Sequence, residues 1–459
     1  MIPVSCEEIC KVLDGEMRGK KEGQIITSVV IDSRKVSEGA LFVAMKGERI
    51  DSHRFIEETY EKGAICCFCS QEYAQKHEIG IPEGKLLFIT RDPVEAMGDL
   101  AAYYRSRLKI PVIAVTGSVG KTSAKDMIAA ALSGGLNTFK TPGNLNNKFG
   151  LPLAIFQIES GTQAAVLEMG MNHFGEIRYL ARIAKPNLGV ITNIGVSHIE
   201  FLGSQQGILK AKTEMLEVMD ENCCMFLCGD DPLLREFSRT MKIPYRLYGF
   251  EESCDIRALQ WGQEGSRLWS QVRYEGEEIR LESETLGRHM VYSMLAAYGI
   301  GRRLGLTQEE LARGIASFVP TAMRMNIFEN ERFRVLDDSY NASPASMKAA
   351  LDVLCSQNGH RRVAILGDMF EMGFYSETGH REVGAYAAHH NVDMLLTAGN
   401  DARYIAEEAG KVNPKLEIHS FENPEELKKK LFSLLRSGDI ILVKASRGMA
   451  FDQISQMIK

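Results

Sequence analysis

One stretch constrains this chain more than any other: VIAVTGSVGKTSAKDMIAAALS, residues 112–133. A short apolar run with the look of a buried strand ends in two glycines, a lysine and hydroxyl residues, and a helical pattern follows. A glycine turn at a helix N-terminus points unpaired N–H groups at an anion, and the helix dipole adds to the attraction. On this reading Gly117, Ser118, Val119, Gly120, Lys121, Thr122 and Ser123 form a loop for the phosphates of ATP. Lys121 would neutralise the terminal phosphates and the Thr122 hydroxyl would sit on Mg²⁺. The longer form of the motif has a glycine where Val115 stands, so the match is to the shorter GxxGK[ST] form. The competing reading is a glycine-rich turn with a solvated lysine. The strand before the turn and the helix after it favour the nucleotide.

From Pro111 onward the same rhythm recurs: AAVLEMG then GEIRYLARIA, LGVITNIG then GILKAKTEMLEVM, then CCMFLC. Strands alternating with helical patterns imply βαβ units and a largely parallel sheet. Residues 245–285 alternate polar and apolar positions and read as antiparallel strands. The pattern breaks at Pro320, and the β/α rhythm restarts in RVLDDS, VAILGDM, MLLTAG, LEIHSF and DIILVKAS, with Ser343 as N-cap and Pro344 at N1 of one helix. The expectation is an α/β chain of three domains, 1–109, 110–319 and 320–459.

Composition excludes several function classes. With 459 residues, 45% of them hydrophobic, there is apolar material for more than one core. A formal net charge of -6 gives no electrostatic footprint for nucleic acid or an anionic membrane. No apolar run approaches the roughly 18 residues that a bilayer-spanning helix needs. The N-terminus carries acids where a secretory signal needs basic residues and an apolar block, so a cytoplasmic protein is expected. Ten cysteines include AICCFC (Cys66, Cys67, Cys69) and CCMFLC (Cys223, Cys224, Cys228). Four of them could in principle hold zinc, but both clusters lie in apolar runs where free cysteine behaves as a small hydrophobe.

Three further residues carry candidate chemistry. Glu168 ends the run AAVLE, where a parallel sheet places ligand-binding groups, and its carboxylate suits Mg²⁺. Read alone, it is equally a surface glutamate. His198 follows VITNIG and reads as a structural histidine or a metal ligand. Lys212 shares one helix face with Ile208, Met215 and Met219, so a lysine sits in an apolar stripe. Either its stem snorkels to water, or the amine is desolvated with a lowered pKa and can capture CO₂ as a carbamate. Periodicity does not choose between them.

Taken together, DSRKVSEGALFVAMKGERIDSHRF (32–55), TGSVGKTS (116–123), TPGNLNNKFGLPL (141–153), LEMGMNHFGEI (167–177), NIGVSHIEFLG (193–203), KAKTE (210–214), DDSYNASP (337–344) and GDMFEMG (367–373) resemble the Mur ligases, the ATP-dependent amide-forming enzymes of peptidoglycan synthesis. The resemblance implies a UDP-sugar-binding N-terminal domain, a central P-loop-type ATPase and a C-terminal Rossmann-like domain. Lys121, Glu168, His198 and Lys212 would be catalytic, with Thr122, Glu168, His198 and carbamylated Lys212 serving two Mg²⁺ ions. Asn144, Arg324, Asp338 and Asn341 would join the phosphate loop around ATP, while Ser33, Arg34 and Asn147 would face the nucleotide-sugar. A DNPR-type string, used by the diamino-acid-adding members, is absent. That favours UDP-N-acetylmuramoyl-tripeptide and D-alanyl-D-alanine as substrates of a monomeric enzyme working through an acyl phosphate. The alternatives are a family ligase with another acceptor, including cyanophycin-type or folate polyglutamating chemistry, or a nucleotide-gated scaffold without turnover. Met290 and Ser293 stand where the family pattern has adenine-facing asparagines, which puts the base contact in question. Ser52 and Ser343 also depart from the pattern, away from the phosphate chemistry.

Overall fold

The computed structural model describes residues 1–19, 23–359 and 361–459. Three α/β units follow one another, each built on its own sheet. The first sheet runs in the order Glu16–Gly19, Leu86–Thr90, Ala64–Ser70, Ala40–Val43, Ser28–Val30, parallel except for the antiparallel edge strand Glu16–Gly19. The second has nine strands. Its parallel part runs Thr138–Lys140, Ala164–Glu168, Val112–Thr116, Leu188–Ile191, Cys224–Cys228, Tyr245–Gly249 and Ile256–Glu264. Two antiparallel strands, Arg267–Tyr274 and Glu277–Glu284, complete it. The third sheet orders Asn326–Glu329, Phe333–Asp337, Asp439–Lys444, Arg361–Gly367, Met394–Ala398 and Glu417–Phe421, parallel except for its first pair.

The inner strands are buried along their whole length, as in VIAVT and AAVLE. Parallel strands covered by helices on both faces have no water-facing side, which is why they appear in the sequence as unbroken apolar runs. The cysteine clusters are of this kind. Cys66, Cys67 and Cys69 lie in the strand Ala64–Ser70 and Cys224 and Cys228 in the strand Cys224–Cys228, all buried. Desolvation pushes the Cys67, Cys69 and Cys228 thiols up to about 12, so they pack as hydrophobes.

Two expectations need correction. Antiparallel pairing begins within the strand Ile256–Glu264, at Arg257, rather than near 245, because Tyr245–Gly249 pairs parallel with both of its neighbours. The helix carrying Lys212 is also shorter than the apolar stripe suggests. It runs Gln205–Thr213 and tightens into a 3₁₀ segment at Glu214–Val218. Glu214 explains the change, since its carboxylate turns inward and accepts from the amides of Gly175 (2.7 Å) and Arg178 (3.3 Å). Those amides belong to the start of the helix Glu176–Ala184, whose N-terminus attracts an anion. Ile208, Lys212, Met215 and Met219 are nonetheless all buried.

Candidate active site

The phosphate loop follows the strand Val112–Thr116, which lies between Leu188–Ile191 and Ala164–Glu168. The loop backbone is fixed from the neighbouring strand end. Asn193 accepts from the Ser118 amide through its carbonyl (3.0 Å) and from the Val119 amide through Oδ1 (3.0 Å), and its Nδ2 donates to the Val119 carbonyl at 2.9 Å. The Thr192 hydroxyl donates to that same carbonyl at 2.6 Å. Gly117 has φ +148°, and a Cβ there would lie 1.8 Å from Thr192 Oγ1, so only glycine fits. Gly120, at φ +81°, is the N-cap of the helix Lys121–Leu132 and offers no side chain to cap it. The first-turn N–H groups are therefore left for an anion. Lys121 Nζ folds back on the carbonyls of Gly117 (2.8 Å) and Ser118 (3.4 Å). Burial lowers its pKa, against the pull of Glu168.

A cavity of about 1010 Å³ opens over this loop. Ser118 through Ser123, Asn144, Asn147, Glu168 and His198 line it from the second sheet's side; Arg324, Asp338 and Asn341 line it from the third sheet's side. Arg324, Asp338 and Asn341, far along the chain, thus meet the loop at 117–123 because two sheets face one another across the cavity.

Glu168 is 2% exposed. Its Oε1 accepts from Asn146 Nδ2 at 2.7 Å, whereas Oε2 is buried without a hydrogen-bond partner, 3.9 Å from Lys125 Nζ. A buried, half-satisfied carboxylate on the same cavity as the Thr122 hydroxyl suits a hard divalent cation. Among the described residues no three His, Cys, Asp or Glu side chains cluster as a self-sufficient metal site. A cation there would also need hydroxyl or ligand oxygens.

Arg324 Nη2 donates to Thr122 Oγ1 at 3.2 Å, its guanidinium lies 3.9 Å from the Tyr340 ring centroid, and its Nε is buried without a partner. Asp338 receives Lys444 Nζ on Oδ2 at 2.5 Å and the Met325 amide on Oδ1 at 3.2 Å. Lys444 Nζ also reaches the Asn341 carbonyl at 2.9 Å. His198 takes a left-handed backbone (φ 64°), and its Nδ1 lies 2.5 Å from Glu371 Oε2, across from the third sheet. The His198 contact holds the Glu371 carboxyl below the usual carboxylate range.

Lys212 is fully buried but does not line the cavity. Among the described residues its ammonium has no hydrogen bond or ion pair, and desolvation, with a smaller contribution from the charge of Lys121, drives its pKa well below the ordinary lysine value. Asn147 Oδ1 accepts from the Phe149 (3.1 Å) and Gly150 (2.9 Å) amides at the start of the helix Gly150–Ile155. Ser33 and Arg34 lie in the short 3₁₀ turn Ser33–Lys35, away from the cavity. There the Arg34 guanidinium pulls the Asp32 carboxyl down to about 2. Met290 and Ser293, in the helix His289–Arg303, both line the cavity and bring a thioether and a hydroxyl.

Sequence reasoning missed Asn193, Asn146, Lys125, Glu371 and Lys444. For Lys444 a signal existed, since it ends the apolar strand Asp439–Lys444 at the sheet's C-terminal edge, as Glu168 ends its own. The others act through partners distant in the sequence.

Three family descriptions match consecutive parts of the chain: "Mur ligase family, catalytic domain" over 25–105, "Mur ligase middle domain" over 115–301 and "Mur ligase, glutamate ligase domain" over 323–447. The UDP-N-acetylmuramoyl-tripeptide–D-alanyl-D-alanine ligase of Bacillus subtilis is 35% identical, covering 99% of this chain and 98% of that protein. Among solved structures, a MurF from Acinetobacter baumannii superposes with TM-score 0.90 at 27% identity, covering 99% of this chain and 98% of the other. The MurF ligase of Thermotoga maritima, solved in complex with ADP, gives 0.82 at 28% identity, over 94% and 96% of the two chains.

Proposed function

Because the chain belongs to the Mur ligase family, we infer that it is an ATP-dependent ligase. It joins D-alanyl-D-alanine to UDP-N-acetylmuramoyl-tripeptide and releases ADP and phosphate, as a cytoplasmic step of peptidoglycan precursor synthesis. The observation that carries the reading is the convergence on one cavity of a phosphate loop and a buried carboxylate from the second sheet with an arginine from the third. The full-length likeness to the Bacillus subtilis ligase supports the choice of substrates.

A free carboxylate does not form an amide in water without activation. The tripeptide's terminal carboxylate attacks the γ-phosphorus of ATP, ADP departs, and an acyl phosphate results. The amine of D-alanyl-D-alanine then adds to the carbonyl carbon, loses a proton, and phosphate leaves with one of the original carboxylate oxygens. The first step brings two anions together, so its barrier is largely electrostatic. Loop amides and Lys121 hold the phosphates, and Arg324 adds charge from the opposite wall. Asp338 and Asn341 close over the ribose and phosphates, and Asn144 lies by the nucleotide. Thr122, Glu168 and His198 are the residues that would hold Mg²⁺, two ions in all, which would neutralise phosphate charge in the site. The orphaned Glu168 Oε2 fits that assignment.

Lys212, whose pKa burial lowers, adds to CO₂ through its amine nitrogen in the unprotonated form and releases a proton, giving an anionic carbamate. Residues 1–109 would bind the UDP-sugar through Ser33 and Arg34, with Asn147 at its edge; residues 110–319 hold ATP and 320–459 close over it. The enzyme acts as a monomer. No helix among the described residues is long and apolar enough to cross a membrane.

The test is phosphate release from ATP with the UDP-linked tripeptide, with and without D-alanyl-D-alanine. Release that needs both, with a new pentapeptide product, supports the reading. ATP binding with no turnover when both are present refutes it and favours a scaffold.

A further inference from the structure

Arg324 sits on a turn that the backbone does not favour. Both of its neighbours, Met323 (φ 59°) and Met325 (φ 56°), are non-glycine residues in the left-handed region. Such strain persists only where the surroundings over-determine it, and it gathers at functional sites. Most ties of this turn lead to the third sheet's unit: Met325 N–H to Asp338 Oδ1 (3.2 Å), Tyr340 N–H to the Met323 carbonyl (3.3 Å), and Arg447 against Met323. Two lead across the cavity to the phosphate-loop helix Lys121–Leu132. One is Arg324 Nη2 to Thr122 Oγ1, and the other is the Thr321 hydroxyl, which donates to Asp126 Oδ2 at 2.5 Å.

The spacing makes these two bonds rungs of one ladder. Thr122 and Asp126 are four apart on a helix and share a face. Thr321 and Arg324 are three apart on a turn closed by the Arg324 amide donating to the Thr321 carbonyl at 3.1 Å. Asp126 is itself a fixed post. It is 2% exposed, and its Oδ1 makes no hydrogen bond but lies in ion-pair range of Lys140 Nζ (2.8 Å) and Lys125 Nζ (3.4 Å). Lys125 is held in turn by the Thr141 carbonyl at 2.9 Å and lies 3.9 Å from Glu168 Oε2. The carboxylate's negative charge is thus balanced by two lysines, and its second oxygen is free to accept from Thr321.

We propose that Thr321 is a positioning residue for Arg324, its hydroxyl anchored on Asp126 so that the strained turn is held in register with the phosphate loop. Thr321 lines the cavity beside Arg324, but its hydroxyl is committed to Asp126. It fixes where the guanidinium stands when the two sheets face each other. This rests on the ligase reading, in which Arg324 serves the phosphates of ATP.

The test uses the full-length enzyme, ATP, the UDP-linked tripeptide and D-alanyl-D-alanine, with kcat, KM for ATP and thermal midpoint read for each variant. Thr321→Val keeps shape and removes the hydroxyl; losing one bond to a charged acceptor should lower kcat about 10-fold. ADP affinity by calorimetry should stay unchanged. Thr321→Ser, which keeps the hydroxyl, should recover the rate. In an Arg324→Ala background, Thr321→Val should cost nothing further, because the residue it positions is gone. A Thr321→Val enzyme with wild-type kcat overturns the proposal. So does a loss that Thr321→Ser fails to recover, or one that multiplies fully onto Arg324→Ala and tracks a fallen midpoint. Arg324→Ala with wild-type kcat overturns instead the role of Arg324 itself, and it is read on a variant in which Thr321 is intact.

Discussion

Lys212→Met should make this protein more stable and nearly inactive at once. The ammonium is 1% exposed and unpaired among the described residues, and desolvation together with the charge of Lys121 opposes its protonation. No carboxylate contributes in the other direction. Methionine keeps much of the stem's volume and removes the charge. Exchanges of buried charge for apolar groups of like size range from neutral to about 1–4 kcal/mol stabilising. At roughly 2–4 °C per kcal/mol for a domain of 150–250 residues, a gain of about 1–4 kcal/mol raises the midpoint by about 2–16 °C near pH 7.5. The pH dependence adds a sharper condition. The folded pKa lies below the ordinary 10.5, so between the two values the unfolded chain binds more protons. Wild-type stability therefore rises with pH by about 1.4 kcal/mol per unit in that window. The advantage of Lys212→Met is fully present below the folded pKa, shrinks through the window and vanishes above it. Melting followed by circular dichroism in CO₂-depleted buffer at about pH 7.5 and pH 9 reads both quantities. A variant less stable than wild type at the lower pH, or an advantage that grows with pH, refutes the picture of an uncompensated buried amine.

Other consequences can be checked in the same preparations. Gly117→Ala forces a 1.8 Å contact onto Thr192 Oγ1; the strain and the lost Thr192 bond should cost about 2–4 kcal/mol, seen in denaturant melts, and weaken ADP binding in calorimetry. Glu168→Gln keeps the bond from Asn146 but removes the charge, and should raise the Mg²⁺ needed for half-maximal nucleotide binding by roughly 10–100-fold. Unchanged Mg²⁺ dependence would remove Glu168 from the ligand set. Native thiol labelling at about pH 8 should reach Cys10, which is partly exposed, well before Cys67, Cys69 or Cys228. Fast labelling of the strand cysteines, followed by mass spectrometry, would contradict their packing role. Installing asparagine at Met290 and Ser293 together should increase selectivity for ATP over GTP in competition binding; no change would mean the base is not read from this helix.

What the sequence made legible was local. The phosphate loop announces itself because strand, turn glycines and helix are contiguous, and buried parallel strands such as VIAVT and AAVLE are apolar throughout. Lys212 was visible as a cation in an apolar stripe, but its choice between snorkelling and burial depended on a chain path that tightens into a 3₁₀ turn where Glu214 reaches a different helix. The same limit hid Asn193, which clamps the loop 74 residues away, and Asp126, whose Thr321 partner lies 195 residues on. Glu371 reads as one polar residue of a glycine-flanked loop until the third sheet brings it against His198. Contacts between sheets leave no periodicity in either segment, so only the fold reveals them.

The central claim is activation of a carboxylate by phosphoryl transfer, and isotope transfer tests it most directly. The UDP-linked tripeptide, labelled with ¹⁸O in its terminal carboxylate, is incubated with the enzyme, ATP, Mg²⁺ and D-alanyl-D-alanine, and the released phosphate is analysed by mass spectrometry. The account predicts one ¹⁸O in each phosphate released alongside a pentapeptide product. Phosphate carrying only oxygen from ATP and water would contradict it.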